Sequence, residues 1–560
     1  MPNQLVSVRR ASGLASRLLR LFNTLSNLKL RQLVFLILRR GIKLPYHLPC
    51  EMEPINPTFQ LPCAPHDNHC IQADRFIFLN TLATFTLEKV RWRGEAMSKL
   101  WRYNLHYFDY LSAQLERKTK DFLIQHWIEN NPYPCEDAWE PYPVSLRIIN
   151  WIKYFHQNPS KPLPNSWLLS LYRQGHYLTR HIEWHIDANH LLKNIIALVL
   201  WSHFFNGAHA QHWRSRSCTL LKTIAQEQFN ADGGHYERSP MYHSILLFHL
   251  LDAYSCIQHN SNTAPTWLHK LITNAIIFNQ IMAKPDGTFP LIKDSAHAIA
   301  PTLGELTHYA SQLGIFLPPD KSAPTTAKQF FLPQTGYFIK KTTRDYLLFD
   351  VGNITPNHQP GHAHCDALHV ELFFNGRSIF TDSGVFCYVA SAERHYSRSV
   401  RAHNTLSIDG QEQHEIWDAF RIGKRGKMHN VKTGDNFCSA EFTPFSKRHT
   451  RHERCVSTET LGEINIVDRV LGIGTASVEI FWHLAPGLTP TVHPGAVHIH
   501  DETNTLVSVM KLQHNQVIPI VMQSDYFPEF GLRNLRYCLV FKAGSAELPW
   551  QLGYQISKFG

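Results

Sequence analysis

The first 50 residues contain no aspartate or glutamate, although nine lysines and arginines stand there: Arg9, Arg10, Arg17, Arg20, Lys29, Arg31, Arg39, Arg40 and Lys43. That one-sided segment carries nearly all of the net charge of +10 and leaves +1 for the other 510 residues. A global field that gathers polyanions is thereby excluded, no nucleic acid partner is expected, and any attraction for acidic ligands must come from local clusters. The chain also lacks any run of 18 apolar residues, so no transmembrane helix is expected. The apolar stretch Leu33–Leu38 is short and meets arginine at once, which is not the form of a signal peptide. The 11 cysteines are odd in number, scattered, and include no CxxC pair. This argues against a disulfide framework or a cysteine-rich zinc module, and it fits reduced thiols in a cytoplasm, with the periplasm as the alternative.

With 560 residues the chain is too long for one ordinary core, and 44% hydrophobic with 18% charged residues is a globular composition. Aromatics reach 12% and histidines number 35. Such rings line sugar-binding clefts, but they fill helical cores more often. At the N-terminus Leu14, Leu18, Leu21, Phe22, Leu25 and Leu28 recur at roughly helical spacing with arginines between them. This basic amphipathic helix either docks on the main domain, the preferred expectation, or makes a peripheral contact with an anionic membrane.

The chain changes character near residue 325. Before it, Ser145–Phe155, Ala188–Phe205, Met241–Tyr254 and Trp267–Met282 carry helical periodicity, separated by breaks such as Asn158-Pro159-Ser160 and Ala231-Asp232-Gly233-Gly234. After it, short alternating runs dominate, including Tyr346–Val351 and Leu368–Phe374. The latter meets Asn375-Gly376 and then Ser378–Thr381, a hairpin signal, and Asp409-Gly410 repeats the device after Thr405–Ile408. Helices first and strands second predict an α+β multidomain chain rather than an alternating α/β fold. We divide it into a basic helical segment (1–60), a helical domain (61–320) and a β domain (328–560), with a proline-bearing linker over Leu317–Ala327.

Three segments can carry chemistry. Asp187-Ala-Asn189-His190 opens a helix, and its polar residues either cap it or face a cleft. In Glu237-Arg238-Ser239-Pro240-Met241-Tyr242, Ser239 reads as an N-cap and Pro240 as the first helical residue. Tyr242 then lies in the first turn, where the helix dipole favours a phenolate and a proton-shuttling role, the bland reading being a buried tyrosine. In Gly361-His362-Ala363-His364-Cys365-Asp366, an extended backbone places His362, His364 and Asp366 on one face. Asp382 and His403 lie downstream at spacings that match no compact zinc motif. A flat turn at Asn375-Gly376 sets Asp382 opposite His369 rather than His364, so a metal site there requires an irregular approach strand.

At these segments, and at Tyr103–Leu111 and Ser145–Trp151, the chain resembles the heparinase II/III family of lyases over roughly residues 90 to 430. The resemblance implies an N-terminal (α/α) toroid followed by a C-terminal antiparallel β-sandwich, and β-elimination on a uronic-acid-containing polysaccharide, an anionic polymer. It implies that Asn189 and His190 bind the uronate carboxylate, that Tyr242 and His362 are catalytic, and that His364, Asp382 and His403 hold a structural zinc. Tyr388 falls near a second active-site tyrosine of some members. Where some heparinase II-like members carry glutamate three residues after the active-site histidine, this chain has Lys193.

The chemistry explains these residue types. Neutralising the carboxylate lets charge develop as an enolate, a base removes the C5 proton, and an acid protonates the leaving oxygen at C4. Tyr242 can do both where the two positions share a face, and His362 can serve as base for the opposite C5 epimer. Arg394, Arg398 and Arg401 are candidates for carboxylate or sulfate binding. Two other classes remain open: a non-catalytic polysaccharide-binding protein, and an (α/α) glycoside hydrolase using Asp187 and Glu237. The polymer, the endo or exo mode and the oligomeric state are not legible.

Overall fold

The structure, a computed structural model, describes residues 16–41, 46–64, 70–72, 75–84, 90–158, 162–261, 265–317, 327–445, 450–513 and 517–559. Arg9, Arg10, Leu14, Lys43, the break at Pro159-Ser160 and nearly all of the expected linker lie outside the described residues.

Two short helices, α1 (residues 16–25) and α2 (Leu30–Gly41), precede a small antiparallel three-stranded sheet over Cys70–Thr84. The helical domain follows as α3 (Lys99–Tyr107), α4 (Arg117–Asn130), α5 (Pro141–Gln157), α6 (Asn165–Leu178), α7 (Ala188–Phe204), α8 (Ala208–Gln228), α9 (Pro240–Ser261), α10 (Thr266–Met282) and α11 (Leu303–Gln312). Helices α3, α5, α7 and α9 pack side by side as an inner layer, and α4, α6, α8 and α10 lie outside them. Composition explains the layering. Every residue of α7 but His190 is buried, so it is apolar nearly all round, whereas α8 exposes a polar face. The starts of α7 and α9 meet the β domain, where Asn189 faces His362 and Tyr242 bonds Tyr388.

The sheets of the β domain, five-, four- and eight-stranded with a small two-stranded one, pair antiparallel among the described residues, and one isolated parallel bridge joins Gly384 to Phe527. Strands such as Arg451–Thr460 and Glu463–Leu471 alternate buried and half-exposed residues, the period-2 pattern of a sheet with one face on the core. Phe278, Met282 and Ile292 of the helical domain pack on Leu332, Tyr337, Ile339, Tyr346 and Phe373 and tie the two domains together.

The Asn375-Gly376 hairpin forms between Val370–Phe374 and Arg377–Phe380, both turn residues having positive φ (50° and 84°). Its ladder slips: Phe373 pairs Ser378, but Leu372 pairs Phe380. This bulge moves Asp382 one residue away from the flat register, and its N–H donates to Glu371 Oε1 at 3.1 Å. Asp409-Gly410 makes a tight turn but not a second hairpin, because it closes only the Ile408–Gln411 bridge. Leu406–Ile408 pairs with Thr475–His483 instead.

Candidate active site

Two helix starts present the key side chains. Asp187 caps α7, its carboxylate accepting the Ala188 N–H at 2.9 Å, with φ 67° and ψ −152°. That conformation is nearly reserved for glycine and costs on the order of 1–3 kcal/mol. It is held by Lys29 Nζ at 3.1 Å, Arg31 Nη2 at 2.7 Å and His358 Nε2 at 3.4 Å. Burial opposes the charge, but His358, Arg31 and Lys29 outweigh it and keep the Asp187 carboxyl below the usual carboxylate range. An aspartate pinned in this way is no candidate for the proton donor of a hydrolase. At the second start Ser239 accepts the Tyr242 N–H at 3.3 Å and Pro240 opens α9, as the cap signal predicts. Arg238, at φ 61°, is locked there by an ion pair with Asp350.

These starts meet the 361–366 segment, which is irregular rather than a strand. Its side chains still reach one place. His362 Nδ1 lies 2.8 Å from Asp294 Oδ2, His364 Nε2 lies 2.8 Å from Asp294 Oδ1, and Asp366 pairs with Lys293. The Asp294 carboxylate therefore takes the Nδ1–H of His362 and turns its Nε2 lone pair outward. That nitrogen faces Asn189 Nδ2 at 3.5 Å and Glu237 Oε1 at 3.7 Å. The Tyr242 ring stands 4.1 Å from the His362 ring, centroid to centroid, and its hydroxyl bonds that of Tyr388 at 3.0 Å. The His190 ring lies tilted against that of Tyr142, with centroids 4.3 Å apart, and pairs with Glu183 Oε2 at 3.2 Å. Asn189, His190, Tyr242, His362 and Tyr388 are thus gathered at the domain junction.

Electrostatics separates their roles. Burial first, and then Tyr142, Asp294 and Glu237, push the Tyr242 hydroxyl well above its ordinary value of 10. Desolvation wins over the helix terminus, so Tyr242 is a phenol at neutral pH and not the phenolate expected from its first-turn position. Burial works against a charged His190, but Glu183 overcomes it and raises the imidazole, favouring its protonated form. Burial lifts Glu237, which accepts from the Asn189 amide at 3.1 Å and from its backbone N–H at 3.3 Å. Lys193 is buried, and desolvation brings it down to about 7.

The three arginines do not sit as expected. Arg394 grips both oxygens of Asp294 and lies under the Tyr388 ring, 5.0 Å from its centroid. Arg398 is buried with its donors on the carbonyls of Pro360, Ala363, Asp418 and Ala419. Arg401 pairs with Glu479 at the surface, its side chain 59% exposed. Each guanidinium is already engaged by the protein, so Arg394 and Arg398 position the site rather than touch a ligand. Asp294, Glu183 and Tyr142 escaped the sequence reading. Asp294 stands in Phe289–Pro301, a loop with no spacing signal, and only its partners reveal it.

His369, Asp382 and His403 bring donor atoms within 4.8 Å of one another. Proximity favours His369 over the expected His364, and the hydrogen bonds set the protons of all three rings. His369 Nδ1 accepts the Asn404 N–H at 3.0 Å, so its Nε2 carries the proton and has no lone pair for a metal. His364 gives its Nε2–H to Asp294, which leaves Nδ1 as a buried lone pair without a partner. His403 likewise gives Nδ1–H to Asp382 at 2.8 Å, and its buried Nε2 is unpartnered. The His364 and His403 rings lie 5.3 Å apart. His364, expected as a ligand, therefore lies beside the converging group rather than within it, with Asp294 orienting its ring.

The heparinase II/III N-terminus profile matches residues 88–318, and the heparinase II/III-like C-terminal profile matches residues 324–549. A heparin-sulfate lyase of Pedobacter heparinus is 24% identical over 411 residues, covering 67% of this chain and 60% of that protein. Another, from Bacteroides thetaiotaomicron, is 24% identical over 424 residues, covering 66% and 58%. The chain thus spans about 60% of the length of these curated relatives. Among solved structures, heparinase III superposes with a TM-score of 0.67 at 18% identity, covering 84% of this chain and 79% of that one. A heparan sulfate lyase mutant from Pedobacter heparinus gives 0.61 at 19%, covering 87% and 81%. The shared fold is a helical N-terminal region followed by an antiparallel β domain. With both of its domain profiles matched in order, the chain belongs to the heparinase II/III-like family.

Proposed function

We propose that this protein is a polysaccharide lyase that cleaves a uronic-acid-containing polymer by β-elimination. The observation that carries the reading is the convergence of a buried phenol, Tyr242, with an imidazole whose free Nε2 faces the Asn189 amide. The His190 imidazole, whose protonated form Glu183 favours, and the Asn189 amide bind the uronate carboxylate, so negative charge can spread onto it as the C5 proton leaves. His362 Nε2 takes that proton, because Asp294 holds its other nitrogen protonated. Tyr242, kept as a phenol by burial, protonates the departing C4 oxygen. The C5–H and C4–O bonds break, a C4=C5 double bond forms, and the proton released at C5 is balanced by the one given to the leaving group. This division of labour favours the C5 epimer whose proton faces His362.

The test is a panel of uronate polymers of both epimers, followed by near-ultraviolet absorbance, with wild type, Tyr242→Phe and His362→Ala. We expect absorbance from the unsaturated end with wild type and a loss of about 10²–10⁴ in rate for each variant. New reducing ends without absorbance would instead identify a hydrolase. Binding with neither signal would identify a polysaccharide-binding protein.

We also propose that His364, Asp382 and His403 hold a structural zinc, whose role when bound is to lock the loops behind His362. Metal analysis should find about one zinc per chain, lost in His364→Ala and kept in His369→Gln; the reverse pattern would assign the site to His369. The ten cysteines described are unpaired, and we take a reducing cytoplasm as the place of action.

A further inference from the structure

Helices α1 and α2 dock on the protein inside out. On α1 the inward residues are polar. Arg20 Nε pairs with Glu415 at 3.2 Å, Thr24 donates to the Ile422 carbonyl and accepts from Trp417 Nε1, and the Asn23 carbonyl accepts from Arg425. On α2 the buried residue is Gln32, whose amide reaches the carbonyls of Ile186 and His358, beside the Arg31 pair with Asp187. The outward residues are the leucines and their kin: Leu18 (57% exposed), Phe22 (66%), Leu30 (77%) and Ile37 (68%), with Val34 and Leu38 between them. A helix that joins a domain through its hydrophobic stripe shows the opposite arrangement. Apolar stripes exposed on both helices, above a mainly polar attachment to which Phe35 adds a stack on Trp184, mark a surface with another occupant.

Charge identifies the occupant. No acid occurs in the first 50 residues, Arg17 and Arg39 are exposed on the same two helices, and no helix among the described residues is long and apolar enough to cross a membrane. A second copy meeting this face would set one cationic segment against another, a juxtaposition that costs affinity. We propose that the outer face of α1 and α2 lies on an anionic lipid surface, with its apolar side chains at the headgroup boundary and its arginines among the phosphates. The polar side then holds the bilayer against both domains at once, since α1 grips the β domain and α2 the helical domain.

The experiment is flotation of the full chain with vesicles of phosphatidylcholine containing about one-third phosphatidylglycerol, beside vesicles of pure phosphatidylcholine. Two double variants on exposed positions are compared, Leu18→Ser with Phe22→Ser and Leu30→Ser with Ile37→Ser. The wild type is expected to float with the anionic vesicles, at least tenfold less with the neutral ones, and less as salt is raised. Each double variant is expected to lose at least tenfold while keeping the wild-type melting curve. Failure of the wild type to float with anionic vesicles overturns the proposal. So does a wild-type dimer in solution that both variants dissociate, which would give the face to a second copy.

Discussion

Two buried aspartates in this protein are built alike and serve different ends. Asp468, in the β domain, is gripped by Arg454 Nε at 2.7 Å and Nη2 at 2.8 Å and bonded by His452 Nε2 at 2.6 Å. Asp294, at the domain junction, is gripped by both terminal nitrogens of Arg394 and bonded by His362 and His364. Each carboxylate stays charged for the same reason: burial opposes the charge, and the guanidinium followed by imidazole overcomes it. The difference lies on the far side of the imidazoles. His452 Nδ1 ends buried without a partner, whereas His362 Nε2 ends at a cleft facing Asn189. Only the Asp294 cluster has a member turned toward another polar group at the domain junction, which is what the proposed role of His362 as base requires.

The largest effect should separate these two clusters. Asp294→Asn and Asp468→Asn each leave a buried arginine without its counter-charge, and each is expected to lose about 3–5 kcal/mol of stability in denaturant titration. Turnover per folded molecule should then fall by about 10²–10⁴ in Asp294→Asn alone, with KM changing little. A similar fall in Asp468→Asn would mean that the second cluster also supports the cleft.

Acid sharpens the comparison at the next level. The Asp468 carboxyl is held down to about 2 against an ordinary 3.8. A depressed carboxylate contributes stability that is full above the unfolded value and lost as pH falls through the folded one. The melting temperature should therefore drop between about pH 4 and pH 2, and Asp468→Asn should flatten that part of the curve. An unchanged slope in the variant would remove Asp468 from the account. The smallest effect belongs to Arg401. Its pair with Glu479 is solvent-exposed and worth about 0–1 kcal/mol, so Arg401→Ala should leave kcat/KM within about twofold. A larger loss would restore it as a substrate contact.

Much of the frame was legible because it rests on local rules. The cap at Ser239, the Pro240 start, the Asn375-Gly376 turn and the helix over Ala188–Phe204 each follow from a few neighbouring residues. The candidate site was half legible. Asn189, His190, Tyr242 and His362 stand in recognisable motifs, whereas Asp294 and Glu183 act only through partners distant in the chain. Arginines illustrate the limit: near the site in sequence, Arg394 and Arg398 are turned inward to carboxylate and carbonyl oxygens. Helix α1 is the converse case. Its leucine spacing announces an amphipathic helix, but which face meets the protein depends on Glu415 and Trp417, almost 400 residues away.

By itself the sequence determined the order of helices and strands, the places where helices begin, and the residue types able to neutralise a carboxylate and move a proton. These depend on periodicity, capping and side-chain chemistry, which are properties of short stretches. Tertiary structure alone decided which tautomer His362 adopts, whether Tyr242 is phenol or phenolate, and which histidine keeps a lone pair for a metal. Each of those turns on burial and on hydrogen bonds across the domain junction, and neither exists until the chain has folded.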